Sequence, residues 1–347
     1  MIRTQAAFAT FLIAAGLSLQ VNDKALIQVI ATVTDNRGRV ISDLKVEDFE
    51  LRQDDKSRKI ESFVTLRDTP SSVGILLDTS GSMRNKIAAA SAAIEDVVNG
   101  LHRSDQVFLM SFAEEARLVA DSSDGRAELV QRLRRLTAQG EGAIYDAIHE
   151  GLFKINQARD QRKVILLVTD GADSVSARTF EQIMRELEES NVLLYAFGIP
   201  AAFGIGFSGP ADNFAPQIIL QPPQRGGQPL PIPLPGGRTI PIPIPDGRPQ
   251  PVPRENEDRG KTVNMSVLSA MTEATGGRAW RVEDRTGRSG EPIDRIVAQI
   301  RSELRGQYLL SFVPDHPLKD GQWHEVSVRA KDPGHNVRVK KEYFAKR

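Results

Sequence analysis

Two short runs constrain this chain more than any other feature. Val73-Gly74-Ile75-Leu76-Leu77 and the stretch from Lys163 to Thr169 are apolar almost without a break, and each leads directly into an aspartate, Asp78 and Asp170. A strand with one wet face alternates polar and apolar residues. A strand that does not alternate is buried on both faces, as in a parallel sheet covered by helices. The sequence around these runs keeps a strand–helix rhythm. Met83 to Leu101 has helical spacing at Ile87, Ala90, Ile94, Val97 and Val98. Gln106 to Phe112 and Ala116 to Val119 read as strands, Arg126 to Leu136 and Ile144 to Ile155 as helices. Ala177 to Glu189 reads as a charged amphipathic helix and Val192 to Gly198 as a strand. The rhythm resumes with a helix over Thr262 to Thr275, a strand over Arg278 to Val282 and a helix over Pro292 to Leu304. Repeated units of this kind predict an α/β domain over residues 72–305 with a doubly wound, mostly parallel sheet of Rossmann-like type.

The chain ends follow a different pattern. Residues 24–68 favour strands: Val29, Ala31 and Val33 lead to the turn Asp35-Asn36-Arg37-Gly38, and Phe49, Leu51 and Ile60 to Val64 flank a second polar turn. In residues 306–347, Tyr308 to Phe312 is a predicted strand. His324, Val326, Val328 and Ala330 then alternate with Trp323, Glu325, Ser327 and Arg329. Neither segment is long enough for a comfortable core of its own. The expectation is one smaller β domain built from both chain ends, with the α/β domain between them.

Two segments stand apart. Fifteen of the 20 prolines lie between Pro200 and Pro253. Within that stretch Leu230 to Arg238 and Ile240 to Arg248 repeat an alternating proline pattern, which neither a helix interior nor a central strand accommodates. Residues 200–257 are therefore read as a proline-rich, polyproline-like insertion in the α/β domain. Residues 1–20 place Arg3 before an apolar run from Ala6 to Leu19, the layout of a secretory signal peptide. At about 14 residues the run falls short of the ~20 needed to cross a bilayer. Export to a periplasm, cell envelope or extracellular space is expected, with no integral membrane span after the N-terminus.

Composition removes several function classes. The chain has 45 Lys+Arg and 45 Asp+Glu, so its net charge of zero argues against a nucleic-acid binder. The basic residues Lys340, Lys341, Lys346 and Arg347 read as a solvated chain end. The absence of cysteine excludes disulfides, thiolate nucleophiles and cysteine metal sites. The five histidines form no HExxH pair, and neither a GxxxxGK loop nor a Gly-x-Ser-x-Gly elbow occurs. His149-Glu150 reads as part of a solvated helix face.

What remains is the rim where the two apolar strands end. In an open α/β sheet ligands bind beyond the carboxyl ends of the strands, which puts Asp78 and Asp170 at one rim. Asp78, Ser80 and Ser82 occupy alternate positions of a loop leading into a helix. Two carboxylates and two hydroxyls make an all-oxygen site suited to a hard divalent cation such as Mg²⁺. The competing reading gives Ser80 and Ser82 only the task of capping the following helix.

Asp78-x-Ser80-x-Ser82, followed some way downstream by Thr169-Asp170-Gly171, resembles the von Willebrand factor type A domain. Lys45-Val46-Glu47-Asp48-Phe49-Glu50-Leu51 and Arg305-Gly306-Gln307-Tyr308-Leu309-Leu310 are similar to segments flanking such domains in exported bacterial proteins. The resemblance implies that Asp78, Ser80, Ser82 and Asp170 bind Mg²⁺, or another divalent cation such as Mn²⁺ or Ca²⁺, at a metal-ion-dependent adhesion site. It further implies a protein partner that presents an acidic side chain to the metal, and no enzymatic activity. One position departs from the family. Its Gly-Gly-Thr-x-x-Tyr-Asp pattern is here Gly140-Glu141-Gly142-Ala143-Ile144-Tyr145-Asp146, so Gly142 replaces the threonine whose hydroxyl contacts metal in the ligand-bound form. Glu141 or water is left to supply that oxygen. Two alternatives stand beside this reading: a structural cell-envelope protein with a degenerate metal site, and a hydrolase or other enzyme.

Overall fold

The computed structural model describes residues 26–160, 162–200, 263–283, 290–317 and 320–345. The leader-like segment 1–20 and the proline-rich segment beyond Pro200 lie outside the described residues. Two compact units divide the chain: Thr69–Ser302 forms one, and the described residues up to Asp68 together with those from Glu303 form the other.

The first unit is built on a six-stranded sheet. Its strands are β5 (Ser71–Asp78), β6 (Gln106–Phe112), β7 (Ala116–Ala120), β8 (Arg162–Thr169), β9 (Val192–Gly198) and β10 (Arg278–Arg281). They lie in the order β10-β9-β8-β5-β6-β7, all pairs parallel except β6 with β7. The two apolar runs are therefore adjacent at the sheet centre, with Ile75 beside Leu166 and Leu77 beside Val168. All eight residues of β5 are buried. The edge strand β7 returns antiparallel and exposes Arg117 and Leu118 at its middle while Ala120 is buried, as a strand with only one neighbour permits.

Among the described residues there are six α-helices: α1 (Ile87–Gly100), α2 (Arg126–Leu133), α3 (Ile144–Asn156), α4 (Phe180–Glu189), α5 (Met265–Ala274) and α6 (Ile293–Gly306). In α3, Ile144, Ile148, Leu152 and Ile155 recur at helical spacing and pack on Leu76, Ile165 and Leu167 of the sheet. Gly151 permits that approach, since a Cβ there would stand 2.9 Å from Leu76 Cδ1. Helix α4 opens with a capping box in which Thr179 Oγ1 accepts from the Gln182 amide and Gln182 Oε1 from that of Thr179. Helix α1 begins four residues later than the sequence pattern predicts. The intervening Gly81–Met83 forms a 3₁₀ turn, and Lys86 follows it.

The second unit consists of two antiparallel sheets. Strands β1 (Ile27–Asp35), β4 (Ile60–Thr65), β11 (Tyr308–Phe312) and β13 (His335–Arg338) form one, in the order β13-β1-β11-β4. Strands β2 (Phe49–Gln53), β3 (Lys56–Arg58), β12 (Trp323–Ala330) and β14 (Glu342–Phe344) form the other, in the order β14-β12-β2-β3. Both sheets combine strands from the two chain ends: the first alternates them, and the second joins a C-terminal pair to an N-terminal pair through β12 and β2. Their shared core contains Val33, Phe49, Leu51, Tyr308, Leu310 and Val326. Tyr308 is its polar fastener: the phenol donates to the Ile41 carbonyl at 2.9 Å and accepts from the Leu44 amide at 3.1 Å.

Candidate metal centre

Asp78 and Asp170 lie at the carboxyl ends of the two central strands, β5 and β8. Asp78 is fully buried. Its Oδ1 accepts from the Ser80 amide at 2.8 Å and its Oδ2 from Thr169 Oγ1 at 2.6 Å. Burial pushes the Asp78 carboxyl up to about 6, and the neighbouring charge of Asp170 acts in the same direction, against the hydrogen bonds from Ser80 and Thr169. A carboxylate so placed favours any positive charge brought next to it.

Ser80 Oγ and Ser82 Oγ stand 3.0 Å apart. Ser80 occupies the N-cap of the 3₁₀ turn, yet its side chain makes no capping hydrogen bond. The capping role considered for the two hydroxyls is therefore not the one Ser80 performs. The loop itself is held by main-chain bonds: Thr79 donates to the Phe112 carbonyl at 2.7 Å, Gly81 to the Gly140 carbonyl at 2.8 Å, and Gln139 to the Thr79 carbonyl at 2.8 Å. Three loops, after β5, before α3 and after β8, thus lock together at one rim, with the Ser174 amide donating to the Gly142 carbonyl at 2.9 Å. The Tyr-Asp part of the α3 motif is structural. Asp146 accepts from the Ala177 amide at 2.7 Å and from the Arg178 guanidinium at 3.0 Å.

Gly142 is buried at this rim. A Cβ on it would stand 3.7 Å from Ser80 Oγ, which is where a threonine hydroxyl would meet the serine pair. Glu141 is exposed, and its amide donates to Glu114 Oε1 at 3.1 Å.

One participant escapes sequence reading. Lys86 is buried, and its Nζ lies 2.9 Å from Asp170 Oδ2, with side-chain exposures of 3% and 5%. The sequence pattern places Lys86 inside the first helix, whereas the turn at Gly81–Met83 puts it just ahead of that helix with its side chain buried. The donor set of Asp78, Ser80, Ser82 and Asp170 fits a hard divalent cation, because it offers oxygen alone and holds two carboxylates in a desolvated place. Lys86 supplies an internal cation to one of the same carboxylates. His149, read as solvated, instead places Nδ1 2.7 Å from Glu186 Oε2 and ties α3 to α4.

Residues 73–172 match the family model described as the von Willebrand factor type A domain. No curated protein matches the chain significantly. Among solved structures, the chain is similar to a von Willebrand factor type A protein from Catenulispora acidiphila, at 14% identity over 86% of this chain and 72% of that one, with a TM-score of 0.46. It is also similar to an aerotolerance-related membrane protein from Bacteroides fragilis, at 17% identity over 67% of this chain and 98% of that one, with a TM-score of 0.43. The protein BatB from Bacteroides thetaiotaomicron gives 17% identity over 66% and 97% of the two chains, with a TM-score of 0.41. The match falls on the two central strands and both aspartates, so residues 73–172, the part of the α/β unit that carries the candidate site, are those that match a von Willebrand factor type A domain.

Proposed function

We propose that the α/β unit is a non-enzymatic protein-binding module. In it Asp78, Ser80, Ser82 and Asp170 hold a divalent cation, Mg²⁺ or a similar ion such as Mn²⁺ or Ca²⁺. The bound cation supplies a positive centre for an acidic side chain of the partner. The observation that carries this reading is the buried Asp78 carboxyl beside Asp170, with two hydroxyls 3.0 Å apart that the 3₁₀ turn does not consume. Burying two carboxylates together is costly unless positive charge accompanies them. The leader-like N-terminus supports export to the periplasm, cell envelope or exterior as the place of action. Among the described residues no helix is long and apolar enough to cross a membrane.

The Lys86–Asp170 pair favours a second reading, in which the internal ammonium has taken over from metal and the domain serves as a structural envelope component. Magnesium titration separates the two. Under the adhesion reading Mg²⁺ raises the melting temperature of the wild type and EDTA reverses the rise, whereas Asp78→Ala abolishes the response. A wild type that ignores Mg²⁺ up to millimolar concentration sinks that reading and leaves the scaffold. Capture of acidic partners from envelope extract, lost on EDTA treatment, tests the binding half.

A further inference from the structure

The antiparallel unit gathers titratable groups from four stretches of chain, none of which the adhesion site uses. His324, the second residue of β12, lies at their centre. Its Nδ1 is 2.8 Å from Oδ2 of Asp54, in the turn between β2 and β3, and its Nε2 is 3.0 Å from Oδ2 of Asp320, in the segment after β11. His316, from that same segment, lies flat on the His324 ring, with centroids 3.5 Å apart and planes 4° apart. Rings stacked in this way share no point in both planes, so the group is hydrogen-bonded and not a chelate. His316 Nδ1 faces the Pro317 carbonyl at 2.8 Å and Asp320 Oδ2 at 3.1 Å, and its Nε2 lies 2.7 Å from the hydroxyl of Tyr343 on β14. Asp315, whose charge also reaches Tyr343, is paired with Lys56 at 3.1 Å and with Arg58. Glu325 and Glu342, the next residues on the two paired strands, are exposed.

We propose that His324 is a protonation latch: as an imidazolium clamped between Asp54 and Asp320 it fastens the β2–β3 turn to the C-terminal strands, and loss of its proton as pH rises loosens the unit. Hydrogen-bond chemistry places the protons. An ionised carboxylate only accepts, so a ring whose two nitrogens each meet a carboxylate oxygen must carry a proton on both. His316 is complete as a neutral ring, because its Nδ1–H meets acceptors and its Nε2 accepts from Tyr343. Burial pushes the Tyr343 phenol up, and the charges of Asp54, Asp320 and Asp315 act in the same direction, so that hydroxyl stays a donor. One charged ring on one neutral ring avoids the repulsion of two stacked cations. A neutral His324 would instead turn a bare lone pair toward a carboxylate oxygen 2.8 or 3.0 Å away. Asp54 shows the clamp from the other side. Its φ of 47° is uncommon for a residue with a side chain, and its carboxylate also accepts from the Glu325 amide and Gln53 Nε2, each at 3.0 Å. Burial pulls His324 down, but its bonds to Asp54 and Asp320 outweigh that and hold it above the ordinary 6.5. Burial pushes Asp54 and Asp320 up, but their bonds from His324 and from the Glu325 and Gln322 amides bring both below the ordinary 3.8. A raised histidine contributes fully below 6.5 and less as pH climbs through its folded value; lowered carboxyls contribute fully above 3.8. The latch is therefore strongest between those values and opens on the alkaline side. All its groups belong to one unit, so it does not rest on the metal reading.

The experiment uses the full-length chain. Imidazole-nitrogen NMR on the unsubstituted protein, with His324 assigned through its contacts with the His316 and Tyr343 rings, should show both His324 nitrogens protonated and a titration midpoint above 6.5. Asp54→Asn and Asp320→Asn should each lower that midpoint. Urea unfolding, followed on the ring signals of His316 in the same unit, should show stability falling between pH 6.5 and about 9. The folding equilibrium should drop about tenfold for each unit by which the His324 midpoint exceeds 6.5. In His324→Gln that fall should vanish. A His324 midpoint at or below 6.5, or a single-proton ring under acidic conditions, overturns the proposal. So does a pH dependence that survives His324→Gln undiminished. The ring-nitrogen measurement needs no substitution, and it decides the matter even where a variant fails to fold.

Discussion

At the scale of single residues, the rim of the α/β unit turns on how two buried carboxylates are neutralised. Lys86 neutralises one of them from within, 2.9 Å from Asp170. Replacing it by methionine keeps the apolar stem and removes the charge. Breaking a buried pair in this way destabilises by about 3–5 kcal/mol because the surviving charge is left uncompensated. In EDTA, Lys86→Met should therefore melt well below the wild type, and Mg²⁺ should return most of the loss. A magnesium response no larger than that of the wild type would show that lysine and metal do not compete for Asp170. Gly142→Thr addresses the same centre from the opposite side by restoring the family's hydroxyl. The added Cβ meets the Ala172 carbonyl at 3.0 Å, so that loop has to give slightly. The expected cost without metal is about 1 kcal/mol, and the expected gain is a several-fold tighter Mg²⁺ response; an unchanged response would mean that the hydroxyl does not reach the cation. Of this candidate site, the meeting of Asp78, Ser80, Ser82 and Asp170 at one rim was legible in the sequence, because they follow two apolar strands that lie side by side. Lys86 was not, since the helical pattern from Met83 gave no sign of the 3₁₀ turn that displaces the helix start and buries it.

Among the elements, the legible ones were those whose burial is written in their composition. The strands Val192–Gly198 and Tyr308–Phe312 fall on the predicted residues, because both are mostly apolar segments whose burial calls for a place inside a sheet. Helix starts were less legible: α1 begins at Ile87 because Gly81–Met83 closes a 3₁₀ turn first, and Met83 shares the apolar spacing without sharing the helix. The direction of β7 also could not be read, since pairing sense at an edge depends on the neighbouring strand and not on composition. A different element-scale constraint sits where α5 hands over to β10. Gly276 takes φ 79° to end the turn, and a Cβ on Gly277 would stand 1.8 Å from the Leu194 carbonyl oxygen of β9. No side-chain rearrangement relieves a clash with backbone. Gly277→Ala should therefore force β10 away from β9 and cost more than about 3 kcal/mol, at the extreme end of single substitutions. Urea unfolding followed by tryptophan fluorescence reads this directly, because Trp280 lies on β10 and is buried. A loss under about 1 kcal/mol would mean that the two strands are not held as closely as this approach requires.

At the scale of the whole molecule, the chain comprises one contiguous unit and one assembled from both its ends, each with its own hydrophobic cluster. The sequence hinted at this division through length: neither terminal stretch is long enough to bury a core, yet each alternates as a strand should. Two cores of this kind predict two calorimetric transitions and not one cooperative step. The assignment of each transition follows from what each core depends on. Tyr308 is fully buried, packs its ring 5.2 Å from Phe49 and 5.4 Å from Phe63, and holds the Ile41–Leu44 segment through its hydroxyl. Tyr308→Ala removes packing and both hydrogen bonds together, a change of about 3–5 kcal/mol for a large buried aromatic. It should lower or erase one transition. Mg²⁺ should raise the other, since a ligand stabilises only the folded state that binds it, and Asp78→Ala should cancel that rise. If Tyr308→Ala instead lowers the same transition that Mg²⁺ raises, by a comparable amount, the two units melt as one body and the core of the β unit contributes to the stability on which the metal acts.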